Sequence, residues 1–150
     1  MLFEGSEKKV EVVVSSSTPS LRGLGVSFWH EVVAAAQAQI ISEISSDYCD
    51  AYLLSESSLF VWDDRFTLIT CGRTTLVRSL DRFLQAVEPQ QVLSLIFERK
   101  NEYFPHHQVT GFHEDVNVIQ KTFDGSALRF GYANEHHLHL FHLNKAYCPE

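Results

Sequence analysis

The stretch Ala51-Tyr52-Leu53-Leu54-Ser55-Glu56-Ser57-Ser58-Leu59-Phe60-Val61 limits what this chain can fold into more than any other. Its two ends read as buried strand, yet its centre is Ser-Glu-Ser-Ser. Consecutive polar residues do not interrupt an apolar strand unless a tight turn or chemistry requires them. A second apolar segment, Leu68-Ile69-Thr70-Cys71-Gly72, follows shortly and ends in a thiol. A hydroxyl run and a thiol at the ends of adjacent strands suggest a site. On the residues alone, a plain polar turn accounts for the first feature and a small buried hydrophobe for Cys71.

The rest of the chain is organised around these strands. Val10, Val12 and Val14 alternate with Glu11 and Val13 as a first strand. After a Ser/Thr/Pro loop, Ser27 is placed to cap a helix with Trp29, Val32, Val33 and Ala36 on its apolar face. Glu31 is expected in the first turn of that helix, where an acid suits the dipole. Ile40, Ile41 and Ile44 suggest a second strand, Ala51 to Leu54 a third and Leu59 to Trp62 a fourth. Asp63-Asp64 is a hairpin turn into a fifth, Phe66 to Cys71. Gly72 breaks that strand, and Thr74 or Thr75 starts a helix striped by Leu76, Val77, Leu80, Phe83, Leu84 and Val87. Pro89 ends it. Val92 to Phe97 is a sixth strand. Phe112, Val116, Ile119 and Phe123 mark a third helix, and Leu128 to Tyr132 and His137 to Leu143 are closing strands around a turn at Asn134.

Each helix has one apolar stripe, so the helices should cover one face of one sheet. The expected fold is α+β, an antiparallel sheet with helices on one face, within a single domain over residues 1–150. Strands three to five carry apolar residues at both parities, which implies cover on the second face too.

Composition removes several function classes. The net charge of -7 and the short basic runs Lys8-Lys9 and Arg99-Lys100 leave no footprint for nucleic acid. The cysteines Cys49, Cys71 and Cys148 are sparse and odd in number, with no C-x-x-C, so a disulfide framework is not expected. The opening residues carry acids where a signal peptide would carry bases, and no segment approaches a membrane span. A soluble cytoplasmic protein is the expectation. His136, His137, His139 and His142 invite a metal reading, but strand alternation lets at most two converge, so no metal site is assigned.

Four motifs carry a resemblance. Phe3-Glu4-Gly5-Ser6-Glu7-Lys8, Tyr52 to Val61 around Leu54-Ser55-Glu56-Ser57-Ser58, Thr70-Cys71-Gly72 and Arg99-Lys100-Asn101 occur in this order. Together they make the chain resemble the pyruvoyl-dependent S-adenosylmethionine decarboxylases of the eukaryotic-type branch. The likeness covers nearly the whole chain but only the N-terminal half of that enzyme. It implies half of an αββα sandwich. It implies a proenzyme that cuts itself between Glu56 and Ser57, Ser57 then becoming a pyruvoyl group that forms a Schiff base with the α-amine of S-adenosylmethionine. The product, decarboxylated S-adenosylmethionine, would supply spermidine and spermine synthesis.

The resemblance also assigns roles. Cys71 matches the general acid that returns a proton to the substrate carbon. Glu4 and Glu7 match active-site carboxylates, suited to a cationic sulfonium. Phe3 matches an aromatic stacked on the adenine, Leu54 a residue that meets the substrate through its backbone, and Glu11 an acid of a diamine (putrescine) activation site. Full-length members have a second, similar half that supplies a serine and a histidine for self-cleavage. Short members dimerise instead, and carry a histidine a few residues after the pyruvoyl serine. Here that region holds Trp62, and the place of the serine falls near Cys49. The second sheet is therefore expected from a homologous half, by dimerisation or within a longer chain. The alternatives are a catalytically incomplete partner subunit that regulates an active homologue, and a pyruvoyl decarboxylase of ornithine or arginine.

Overall fold

The computed structural model of the chain describes residues 7–71, 75–100, 112–124, 128–134 and 137–142. Eight strands form one sheet, all neighbours antiparallel: β1 (Glu7–Val14), β2 (Ile40–Ser45), β3 (Asp50–Leu54), β4 (Ser57–Val61), β5 (Arg65–Thr70), β6 (Val92–Lys100), β7 (Leu128–Asn134) and β8 (His137–His142). Their order across the sheet is β2-β3-β4-β5-β1-β6-β8-β7, so β1 is central. Three helices accompany it, α1 (Val26–Ala35), α2 (Arg78–Phe83) and α3 (Phe112–Thr122).

Strand alternation sorts the side chains. Lys8, Val10, Val12 and Val14 of β1 are buried, while Glu7, Lys9, Glu11 and Val13 between them are half-buried. The register extends the buried row through Phe66 and Leu68, Leu59 and Val61, Tyr52 and Leu54, Leu95 and Phe97, and Leu138 and Leu140. All three helices lie on that face. Trp29 of α1 packs with its ring centroid 5.3 Å from that of Phe66, Phe83 of α2 at 4.7 Å from Phe66, and Phe112 of α3 stacks at 5.8 Å from Phe97. The opposite face carries no helix among the described residues, and it exposes Ile44 (75%) and Leu53 (54%). The α+β class and the antiparallel sheet with one-sided helices therefore stand as expected.

Local details correct the sequence reading. Helix α1 starts at Val26 with Gly25 as its N-cap at φ 89°, and no side chain caps it, Ser27 included. Glu31 lies past the first turn and pairs instead with Arg82 of α2 at 2.6 Å. A positive φ at the cap suits a glycine and leaves Ser27 two residues too late. Helix α2 is a short element, and β1 and β6 run longer than their apolar alternation indicates. At the end of α1, Gln37 takes φ 64°, the N–H of Gln37 bonds the carbonyl of Ala34, and that of Ala38 bonds Val33. That pair of bonds is the Schellman stop, here with glutamine where glycine is commoner.

Arg22 anchors the edge hairpin. Its Nη2 reaches Asp50 at 3.0 Å and its Nε at 3.3 Å, and it also donates to the carbonyls of Ser46 and Asp47. Hydrogen bonding from Arg22 holds the Asp50 carboxyl below its usual range. A folded pKa below the unfolded one, about 3.9, stabilises fully above 3.9, and the gain is lost as pH falls from there through the lower folded value. Asp50→Asn is therefore expected to cost about 1–3 kcal/mol at pH 7, measured by urea unfolding, and progressively less as pH falls below the unfolded value.

Candidate active site

The polar centre of the opening motif is a hairpin turn. Leu54 pairs with Ser57, leaving Ser55 and Glu56 as a two-residue loop between β3 and β4. Such loops favour positive φ inside the loop, which Asn-Gly or Gly supply. Neither Ser55 nor Glu56 has positive φ; Ser57, just after them, has φ 150°. That region is populated almost entirely by glycine, so the backbone is strained at Ser57, on the C-terminal side of the Glu56–Ser57 bond.

Neighbouring segments hold the turn in place. The N–H of Ser55 donates to the carbonyl of Gln39 at 2.8 Å, and the N–H of Gln39 donates back to Ser55 Oγ at 3.0 Å. The Schellman stop of α1 sets where Gln39 falls. On the other side the N–H of Cys71 donates to the carbonyl oxygen of Glu56 at 3.0 Å. The carbonyl of the candidate scissile bond thus already faces a fixed donor.

The register divides the surrounding residues into two rows. In the first, Lys8 of β1 lies opposite Thr70 of β5, and Thr70 opposite Ser57 of β4, all at helix-facing positions. One step beyond the ends of these registers, Glu7 precedes Lys8, Cys71 follows Thr70 and Glu56 precedes Ser57, and the Cys71 N–H bonds the Glu56 carbonyl. Sequence reasoning placed Glu7 and Cys71 in one site; Glu7 opens β1, and Cys71 directly follows the neighbouring strand β5. Glu11 lies four residues further along the face of Glu7, roughly 13 Å away at strand rise. It accepts a hydrogen bond from Thr67 Oγ1 at 3.3 Å. Leu54 buries its side chain in the core and presents its backbone at the root of the turn. Phe3 and Glu4 lie outside the described residues, as do Gly72, Thr74, Asn101 and His136.

Four residues, Lys8, Arg99, Asp115 and Thr70, were given no role from sequence. Lys8 is 1% exposed. Burial, and then the charge of Arg99, lower its pKa to about 8, against the opposing charges of Asp115, Cys71 and Glu56. Arg99 lies opposite Lys8 on β6 and donates to Asp115 of α3 at 2.5 Å. Burial raises the pKa of Asp115 despite that partner. Thr70 is fully buried, and its hydroxyl has no hydrogen-bond partner among the described residues.

A cleft of about 500 Å³ lined by Trp62, Asp63, Asp64 and Tyr48 lies at the opposite end of β4 and β5 from Ser57. The strained bond and the thiol are elsewhere. No three His, Cys, Asp or Glu side chains cluster for a metal among the described residues, and no described helix is long and apolar enough to cross a membrane.

A strained Glu-Ser turn lies beside a cysteine on an antiparallel α+β sheet. A family model described as "Adenosylmethionine decarboxylase" matches residues 1–149. The chain belongs to that family. It is 36% identical to the S-adenosylmethionine decarboxylase proenzyme of Dictyostelium discoideum, over 93% of this chain and 41% of that protein. It is 39% identical to the proenzyme of Trypanosoma cruzi, over 93% of this chain and 40% of that one. The proenzyme of Drosophila melanogaster is 38% identical over 81% of this chain and 38% of its own length. The chain thus spans about 40% of the length of these relatives.

Proposed function

We propose that the chain is the pyruvoyl-forming part of an S-adenosylmethionine decarboxylase, cleaved by its own Ser57 at the Glu56–Ser57 bond. One observation carries this: the Glu56 carbonyl rests on the Cys71 N–H beside a Ser57 held at φ 150°. Ser57 Oγ attacks the Glu56 carbonyl carbon, and charge develops on an oxygen already facing a donor. The C–N bond then breaks and the Ser57 nitrogen takes a proton, leaving an ester. Loss of the Ser57 α-proton expels the Glu56 carboxylate, and water replaces ammonia. The products are residues 1–56 and a pyruvoyl-headed 57–150.

The pyruvoyl carbonyl supplies an electron sink for decarboxylation. The chain's own residues do the rest. The Cys71 thiol gives the proton that the substrate carbon requires, Glu7 and Glu4 face the sulfonium, Phe3 covers the adenine, and the Leu54 backbone holds the substrate. Glu11 is the chain's contribution to a diamine site. The helix-free face with Leu53, Ile44 and Phe60 receives a second, homologous sheet, from another copy or a longer chain. Trp62, where short relatives carry a histidine, favours a second reading: a chain that binds and regulates an active homologue.

Release of labelled CO₂ from carboxyl-labelled S-adenosylmethionine, ornithine and arginine tests the proposal. Release from S-adenosylmethionine alone is expected, and Cys71→Ala should still cleave but turn over on the order of 100-fold more slowly. Release from ornithine or arginine instead would change the substrate. A cleaved chain that decarboxylates nothing, alone or with a homologous second half, would leave the binding-subunit reading.

A further inference from the structure

We propose that Ser55 is a positioning residue for self-cleavage: it clamps the β3–β4 turn to the end of α1, and the clamp throws the misfit of the turn onto Ser57. The inference rests on the self-cleavage reading and names what holds the Glu56–Ser57 bond for it.

The clamp is a ladder pair with one bond rerouted. Two residues facing each other in an antiparallel hydrogen-bonded pair exchange both of their N–H···O=C bonds. Ser55 directly follows β3 and Gln39 directly precedes β2. The N–H of Ser55 donates to the Gln39 carbonyl at 2.8 Å, as the ladder requires. The return bond is different. The Gln39 N–H ends on Ser55 Oγ, at 3.0 Å. The hydroxyl stands in for the carbonyl of residue 55, so the backbone leaves the ladder at Ser55 while the Gln39 N–H keeps a partner. Serine side chains replace backbone partners in this way, and an alanine at position 55 has no acceptor to offer.

The same end of α1 also holds the chain beyond Cys71. The N–H of Thr75 donates to the Ala36 carbonyl at 3.2 Å, and the Thr75 hydroxyl lies 3.3 Å from Gln37 Oε1. Cys71 in turn donates its N–H to the Glu56 carbonyl at 3.0 Å. The end of α1 is thereby tied to both sides of the scissile carbonyl, to Ser55 before it and to Thr75 after its donor. The backbone carries the mark of this. Gln37 at φ 64° and Ser57 at φ 150° are the non-glycine residues with positive φ among the described residues. A two-residue loop favours positive φ at a loop position. With Ser55 pinned by Gln39 and Glu56 by Cys71, the unusual angle moves to Ser57, whose ladder partners are Leu54 and Thr70. A non-glycine residue there is strained, and breaking its N-terminal bond relieves it.

Both residues of the clamp are exposed. Surface substitutions of this kind change the stability of a whole fold little. Losing the Ser55 hydroxyl should therefore relax the turn and leave the chain folded.

Two measurements test the clamp. The first needs no cleavage. With Ser55 in place, the uncut Ser57→Gly chain should have a higher urea midpoint than the uncut Ser57→Ala chain. In a Ser55→Ala background that gap should shrink by about half or more, a coupling between two residues of one turn. The second is a cleavage time course at constant pH, of the chain alone and mixed with a homologous second half, read by denaturing mass spectrometry. Ser55→Ala should cleave about threefold to tenfold more slowly, the size of one neutral hydrogen bond expressed in the barrier. Ser55→Thr keeps the hydroxyl and should cleave at the parent rate. Ser46→Ala removes a hydroxyl that takes the N–H groups of Tyr48 and Cys49 in the β2–β3 turn, and it should also cleave at the parent rate. A midpoint gap that is absent with Ser55 present or unchanged by Ser55→Ala, or Ser55→Ala cleaving as fast as the parent, overturns this inference and leaves self-cleavage standing. A parent chain that stays whole both alone and with the second half overturns both.

Discussion

Replacing Ser57 by glycine should give a chain that stays whole and is more stable than the equally uncut Ser57→Ala variant. Both variants lack the hydroxyl, so neither can attack Glu56. They differ in the Cβ that alanine keeps at φ 150°. A non-glycine residue in that region costs about 1–3 kcal/mol, and glycine removes the cost. Greater backbone freedom of glycine in the unfolded chain offsets about 0.5–1 kcal/mol. The net expectation is a gain of about 1–2 kcal/mol, visible as a higher urea midpoint at unchanged slope. The strain has a reason in the turn. Gln39 fixes Ser55 and Cys71 fixes Glu56, so the misfit of a two-residue loop without glycine falls on Ser57. Cleavage removes that constraint, so the strain favours bond breaking. Equal midpoints for the two variants would mean that no strain is stored there.

The second large effect concerns the support beneath the site. Trp29 is fully buried, with ring centroids 5.1 Å from Phe28, 5.3 Å from Phe66 and 6.2 Å from Phe83. Its Nε1–H donates to the Leu21 carbonyl at 3.1 Å. Trp29→Ala removes a large ring from a packed layer and leaves that carbonyl without its donor. Such truncations cost about 3–5 kcal/mol. For a chain of this size the loss lowers Tm by about 10 °C or more in a thermal melt. Trp29→Phe keeps most of the packing and loses the hydrogen bond, so it should cost about 1–2 kcal/mol. Because α1 positions Gln39, the alanine variant should also loosen the turn, seen as faster amide exchange at Ser55. A loss below about 1 kcal/mol for Trp29→Ala would show that α1 is not docked through this residue.

Much of this was legible in the sequence because it depends on local pattern. Val10, Val12 and Val14 announce the central strand, and Asp63-Asp64 its hairpin neighbour. The break at Ser55 to Ser58 marks the turn between β3 and β4. What pattern could not supply was register. Lys8 beside Lys9 reads as a short basic run, and Arg99 beside Lys100 as another. Yet Lys8 shares the parity of Val10, Val12 and Val14, so once β1 begins at Glu7 it must face the helices. That parity was the available signal, hidden by the habit of ending a strand at its first charge. Thr70 was likewise read as a flank of Cys71; only pairing with β4 and β1 sets it between Ser57 and Lys8. Ser27 and Glu31 misled because a glycine at positive φ, Gly25, starts α1 two residues before the expected serine cap.

Self-cleavage at Glu56–Ser57 is the claim on which the functional reading stands, and intact mass under denaturing conditions addresses it directly. The purified chain, alone and mixed with a homologous second half, is read without reducing or trapping reagents. Two species are expected, residues 1–56 and 57–150, whose masses sum to the 17.1 kDa of the uncut chain plus water less ammonia. A single species at 17.1 kDa after prolonged incubation, both alone and with a homologous second half, would contradict it.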